Sequence, residues 1–243
     1  MAKLWRDRKT CAKLHQTSAF TARKTFAEEG NSAMTSARLI RLSALAILVG
    51  GILLVIADLL RFLTGIDFEN LRQSASRDVW LLVTVAYMIA TVLLLGGLIG
   101  LYARQSEAAG VLGRVGFLVA FIGTALAMGI SWAEVFVLPS LAVEAPVLLA
   151  TERVAGALSL WFMVTGLLYA VGLLLFGVAT LWAGVYPRAA AIVFVVGTLI
   201  EFASVFVQFP LNNVVIGVGA AWLGFALLSG RLREEANPQP SGG

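Results

Sequence analysis

The sequence predicts an all-α fold: a polytopic membrane bundle of six transmembrane helices. Three observations predict it. Of 243 residues, 59% are hydrophobic and 13% are charged, whereas roughly a quarter of the residues in a soluble domain are charged. Six apolar runs recur along the chain, each about the length a helix needs to cross a bilayer. The basic residues fall before and between these runs rather than on one face. A chain this poor in charge cannot cover a globule in water. Lipid is then its solvent, and a helix is the element that satisfies its own backbone there.

Residues 1–33 form a separate, basic zone. It holds all four lysines (Lys3, Lys9, Lys13, Lys24), the single Cys11 and the single His15. It lacks an apolar run long enough for a signal peptide. Three readings stand: a basic arm that touches anionic lipid, a transit peptide against which Glu28 and Glu29 count, or an extension upstream of a start at Met34. Each makes the zone a non-folded segment.

The runs follow at 39–63, 79–102, 115–138, 155–183, 189–209 and 211–230. The fourth is long enough to require tilt or to extend past the bilayer. The last two are separated by a turn at Pro210, Asn212 and Asn213, all turn formers. The segments at 64–78 and 139–153 are the larger loops. The second is apolar, which predicts that it lies in the interface or folds back over the bundle rather than re-entering. The six-helix domain covers 34–232, and 233–243, with two prolines and a Ser-Gly-Gly end, reads as a disordered tail.

Arg and Lys set the orientation. With the N-terminus inside, 14 basic residues lie on the inner side against 4 outside. Without 1–33 the ratio is 7 to 4, so both termini are expected to be cytoplasmic in either case.

Two stretches repeat. Ile130-Ser-Trp-Ala-Glu-Val-Phe-Val-Leu-Pro139 is answered by Ile200-Glu-Phe-Ala-Ser-Val-Phe-Val-Gln-Phe-Pro210. The acid and the serine exchange places, Ser131 and Glu134 against Glu201 and Ser204. Residues three apart share a helix face, so each copy offers a carboxyl and a hydroxyl on one side. Leu93–Ala103 matches Leu173–Ala183 at six of eleven positions. The odd-numbered runs each follow an arginine and carry one acid: Asp58, Glu134 and Glu201. The unit suggested is a helical hairpin present three times. Against it stands the ease with which segments rich in Leu, Val, Ala and Gly match.

A carboxylate within a span is a functional hypothesis by default. Glu201 lies nine residues before Pro210, roughly 13 Å below the outer end, and Glu134 five before Pro139, roughly 7 Å. A solvated role for Glu134 competes with a functional one. Glu201 and Glu134, with Ser131, Ser204, Gln208 and Asn212, form a candidate proton or cation site, since oxygen ligands suit hard cations. Spans three to six contain no basic residue, so a partner for these acids is expected from Arg153 or another chain. Asp58 and Arg61, three apart, read as an interfacial ion pair. Trp80, Trp132, Phe136, Phe206 and Phe209 read as membrane-belt aromatics. Gly96-x-x-x-Gly100, Gly217-x-x-x-Ala221 and Ala220-x-x-x-Gly224 read as helix contacts inside one bundle.

One cysteine and one histidine exclude a disulfide framework, a Cys-x-x-Cys pair and a bis-histidine haem within one chain. No metal site and no cofactor are expected. Nucleophile-elbow, zinc-protease and P-loop motifs are absent from the sequence, so the chain is not expected to be an enzyme. The net charge of +4 follows membrane topology and does not indicate nucleic acid. The expected partners are the lipid bilayer and a membrane protein or further copies of the chain.

Leu98-Ile-Gly-Leu-Tyr-Ala-Arg104, Gly110-Val-Leu-Gly-Arg114 and Trp132-Ala-Glu-x-Phe136-x-x-Pro139 resemble stretches of uncharacterised six-span membrane proteins of high-GC bacteria. The resemblance covers about 34–235 and implies a bacterial cytoplasmic membrane. The sequence supports two functions: a non-enzymatic accessory or regulatory membrane component, and a small-solute or proton-coupled transporter using Glu201 and Glu134 at an outward cavity.

Overall fold

The computed structural model describes residues 38–66, 71–75, 77–149, 152–207, 209 and 211–236. The expectations for 1–33, for 237–243 and for Gln208 lie outside the described residues. The elements are α1 (Arg38–Thr64), α2 (Leu71–Ala75), α3 (Asp78–Gln105), α4 (Gly110–Phe136), α5 (Leu138–Glu144), α6 (Pro146–Leu149), α7 (Glu152–Ala183), α8 (Arg188–Ser204) and α9 (Asn212–Ala236). The last helix therefore continues past 232, where the sequence suggested that a tail begins. Among the described residues there is no strand.

Five helices are long and apolar enough to cross a membrane: α1, α3, α4 with its continuation α5, α7 and α9. The chain is a multi-pass integral membrane protein. The expected count of six spans is corrected at α8. That helix has 17 residues and a length of about 25 Å at 1.5 Å per residue, short of the roughly 30 Å hydrocarbon core. The apolar run does reach 209, but the chain reverses earlier. Val205 N–H and Phe206 N–H bond back three residues, to the Phe202 and Ala203 carbonyls. Leu211 then adopts φ 62°, a left-handed conformation that is costly for a residue with a Cβ. Composition cannot separate an apolar turn from an apolar helix, and here Phe206, Val207 and Phe209 belong to the turn.

The six long helices pack in chain order as three antiparallel pairs, α1/α3, α4/α7 and α8/α9. α3 also meets α4 and α7 meets α8. α9 returns to α1, closing a ring. Hydrophobicity does not drive helices together in lipid, so close backbone approach and dispersion must do so. Glycine supplies that approach. A Cβ on Gly172 would lie 2.4 Å from the Ala120 nitrogen, one on Gly197 2.4 Å from the Ile216 nitrogen, and one on Gly51 2.5 Å from the Gly217 oxygen. On α3 the glycines against α1 are Gly97 and Gly100, facing Ile47 and Ser43. The shared core runs through Ile47, Leu98, Phe176, Phe194, Ile216 and Leu223. Lipid-facing positions keep large apolar side chains such as Leu82, Ile122, Leu160, Ile192 and Phe225.

Pro139 cannot continue the hydrogen-bond ladder of α4, and its ring crowds the turn before it. The helix breaks at Val137 and resumes as α5. This segment packs against α2 and the first turns of α3 at one end of the bundle. Leu138 and Ala142 pack with Ile66, Ala75, Trp80 and Val83 in a second, smaller apolar cluster. Trp80 is only 1% exposed and is a core residue, not the belt residue the sequence suggested. Trp132, Phe136, Phe206 and Phe209 are exposed.

Candidate functional site

Each helix pair carries one acid on its first member, Asp58 on α1, Glu134 on α4 and Glu201 on α8. All three lie toward the end of the bundle where α1 finishes and α3 and α9 begin. The structure brings two of them into one polar network and leaves the third apart.

Asp58 is the centre of the network and is fully buried, at 0% exposure. Charges removed from water need several well-placed partners, and Asp58 has three. Arg61 Nη2 lies 3.2 Å from Oδ1. The Tyr87 hydroxyl of α3 donates to Oδ1 at 2.5 Å. The backbone N–H of Asn213 donates to Oδ2 at 3.1 Å. That N–H lies in the first turn of α9, where helix donors have no intrahelical partner. A carboxylate on α1 therefore caps the positive end of α9. The ion pair with Arg61 is present, but its carboxylate lies in the protein interior and not at a wet interface.

Asn212, also in the first turn of α9, extends the network to α8. Its amide nitrogen donates to Glu201 Oε2 at 2.5 Å, and its amide oxygen accepts from Arg61 Nη2 at 3.1 Å. Asn212 thus links Glu201 on α8 to Arg61 on α1. The expectation of a direct salt-bridge partner from Arg153 or from another chain lies outside the described side chains. Two carboxylates, one guanidinium, one phenol and one carboxamide now tie α1, α3, α8 and α9 together.

Glu134 is buried, at 7% exposure. Among the described residues, no hydrogen bond or ion pair links its carboxyl to Glu201. Its backbone carbonyl accepts the Trp80 indole N–H at 2.7 Å, in the last turn of α4 where Pro139 interrupts the ladder. Ser131, one turn earlier, is buried. The Ser204 hydroxyl donates to its own helix at the Ile200 carbonyl, 2.8 Å away, as serines in helices commonly do. That bond commits the Ser204 proton to the backbone of α8.

Sequence reasoning missed Tyr87 and the Asn213 N–H, and read Asn213 only as a turn former. A phenol about 13 Å into a span, nine residues beyond the start of α3, needs a hydrogen-bond partner, and that was the available signal. Among the described residues no three His, Cys, Asp or Glu side chains converge as a metal would require.

Compared with protein families, with curated proteins and with solved structures, the chain finds no match.

Proposed function

We propose that the protein is a non-enzymatic component of a bacterial cytoplasmic membrane, accessory or regulatory to a membrane partner, with both termini in the cytoplasm, since α8, though too short to count as a span by length, runs antiparallel to α7 and α9 and returns the chain to the opposite end of the bundle. The observation that carries this reading is the full partnering of the Asp58 carboxylate within the chain. Each carboxyl oxygen of Asp58 has a donor from the same chain. The amide of Asn212 donates one N–H to Glu201 and accepts from Arg61. Groups so matched fix helix positions and leave little for a solute to displace. The orientation rests on the excess of Arg and Lys on the termini side.

A second reading, a small-solute or proton-coupled transporter, has one specific observation in its favour. The network holds two carboxylates against one guanidinium, and an odd negative charge in low dielectric attracts a proton or a small cation.

One experiment separates the two. The infrared carboxyl C=O band is followed from pH 5 to 8 in lipid, for wild type and for Glu201→Gln. The accessory reading expects a band that does not change with pH in either protein. A band that titrates in wild type and disappears in Glu201→Gln, accompanied by proton flux into proteoliposomes that the substitution abolishes, overturns it in favour of transport.

A further inference from the structure

At the opposite end of the bundle, α3 finishes at Gln105, α8 begins at Arg188, and α9 passes between them toward its C-terminus. A cavity of about 440 Å³ opens there, lined by Arg104, Tyr186, Pro187, Trp222, Phe225 and Ser229 among others. Its volume is that of a small-molecule site, typically about 300–1,000 Å³. The composition is graded. Trp222 and Phe225 are exposed on the lipid-facing side of α9, while Arg104 stands in the last turn of α3.

The polar atoms of the wall are not equally available. The Tyr186 hydroxyl donates to the Leu101 carbonyl at 3.1 Å. Burial pushes its phenol up from the ordinary value, so it stays neutral. The Ser229 hydroxyl donates to the Phe225 carbonyl at 2.8 Å. Neither is a free donor toward the cavity. Arg104 carries a permanent positive charge and a planar fork of N–H donors in a geometry that matches phosphate. Behind Pro187 the first turn of α8 has no side-chain cap. The wall therefore pairs a cationic donor with an apolar aromatic flank.

We propose that this cavity is a headgroup site for an anionic phospholipid, with the phosphate on Arg104 and an acyl chain along Trp222 and Phe225. Charge complementarity selects the occupant, because the cationic member of the wall belongs to the same cavity as lipid-facing aromatics. Basic pockets between transmembrane helices on the cytoplasmic side bind anionic headgroups in this way. The leaflet assignment rests on the orientation proposed above. The test does not, since both leaflets of a nanodisc have the same composition.

The test reads Trp222 fluorescence in nanodiscs containing dibrominated phosphatidylglycerol or dibrominated phosphatidylcholine at equal mole fraction. Subtracting the signal of Trp222→Phe isolates that residue. Wild type is expected to be quenched by the anionic lipid with a preference of roughly fivefold, the order set by one arginine near the surface. Arg104→Gln is expected to abolish the preference while leaving the fold intact, since Arg104 is exposed. Gly230→Leu is a second variant: Gly230 borders the cavity, and a Cβ there meets open space. It is expected to reduce quenching by both lipids. Equal quenching of wild type by the two lipids overturns the proposal, as does a preference that survives Arg104→Gln. Relief of the quenching by inorganic phosphate also overturns it, assigning the site to a soluble anion.

Discussion

The phenol of Tyr87 donates to Asp58 Oδ1 at 2.5 Å, and this bond fastens α3 to α1 at the point where α9 begins. Tyr87→Phe removes the donor and leaves the ring in place. Interhelical bonds of this kind in membranes contribute about 0.6 kcal/mol on average and about 1.7 at most, so a loss near 1 kcal/mol is expected. Asp58→Ala is a different case. It leaves Arg61 and the Asn213 N–H without their carboxylate, and breaking a buried pair from one side costs about 3–5 kcal/mol. Unfolding by denaturing detergent in mixed micelles measures both. Equal effects from the two substitutions would show that Asp58 is solvated.

The Trp80 indole N–H reaches across from α3 to the Glu134 carbonyl, and its ring packs with Leu138 and Ala142 of α5. Trp80→Phe keeps most of the apolar contact and loses the bond. A neutral hydrogen bond of this kind contributes about 0.5–1.5 kcal/mol. The loss is expected to be local, because α5 depends on that cluster while α4 is held by α7. Hydrogen exchange should rise in Leu138–Glu144 and remain unchanged in the middle of α4. Uniform exchange across both helices would refute the idea that Trp80 pins this end.

Helical class and the limits of most spans were legible because apolar length decides them. The acids were legible as exceptions in those runs. What the sequence could not show was which acids meet. Glu134 and Glu201 stand in two similar stretches with acid and serine exchanged, and the structure links Glu201, not Glu134, to Asp58 and Arg61 through Asn212. The link therefore depends on α9 returning to α1, a ring closure that no local pattern encodes. Asp58 and Arg61 satisfy the i,i+3 rule on their own, and that local sufficiency hid their connection to α8. The early end of α8 was hidden for a similar reason, since Phe206 and Phe209 are as apolar in a turn as in a helix.

The close approach of helix pairs predicts opposite signs for two glycines. Gly172→Val places a side chain where the Ala120 backbone lies 2.4 Å from a Cβ. α4 and α7 must separate, and overpacking of this sort costs about 1–3 kcal/mol or more. Gly129 on α4 has nothing within 4 Å of an added Cβ. Gly129→Ala gains helix propensity and is expected to stabilise by about 0.5–1 kcal/mol. Thermal unfolding in detergent ranks wild type between the two variants. If both substitutions destabilised the protein, α4 would be packed on the Gly129 side as well.

Tyr186, in the connection between α7 and α8, gives a pH dependence outside the spans. Burial pushes its phenol up, and the positive charge of Arg104 opposes that shift. The folded state therefore holds this proton more tightly than the unfolded chain does. Its contribution is complete below the ordinary phenol value of about 10 and is lost as pH rises above it. The bond to the Leu101 carbonyl requires the protonated form, so ionisation removes it. Tyr186→Phe is expected to cost about 0.5–1.5 kcal/mol at neutral pH and to lose less stability than wild type above pH about 10. The difference between the two pH profiles isolates Tyr186 from the other tyrosines. Parallel profiles across that window would mean that the Tyr186 phenol is open to water and that its bond to Leu101 does not hold α3 against the start of α8.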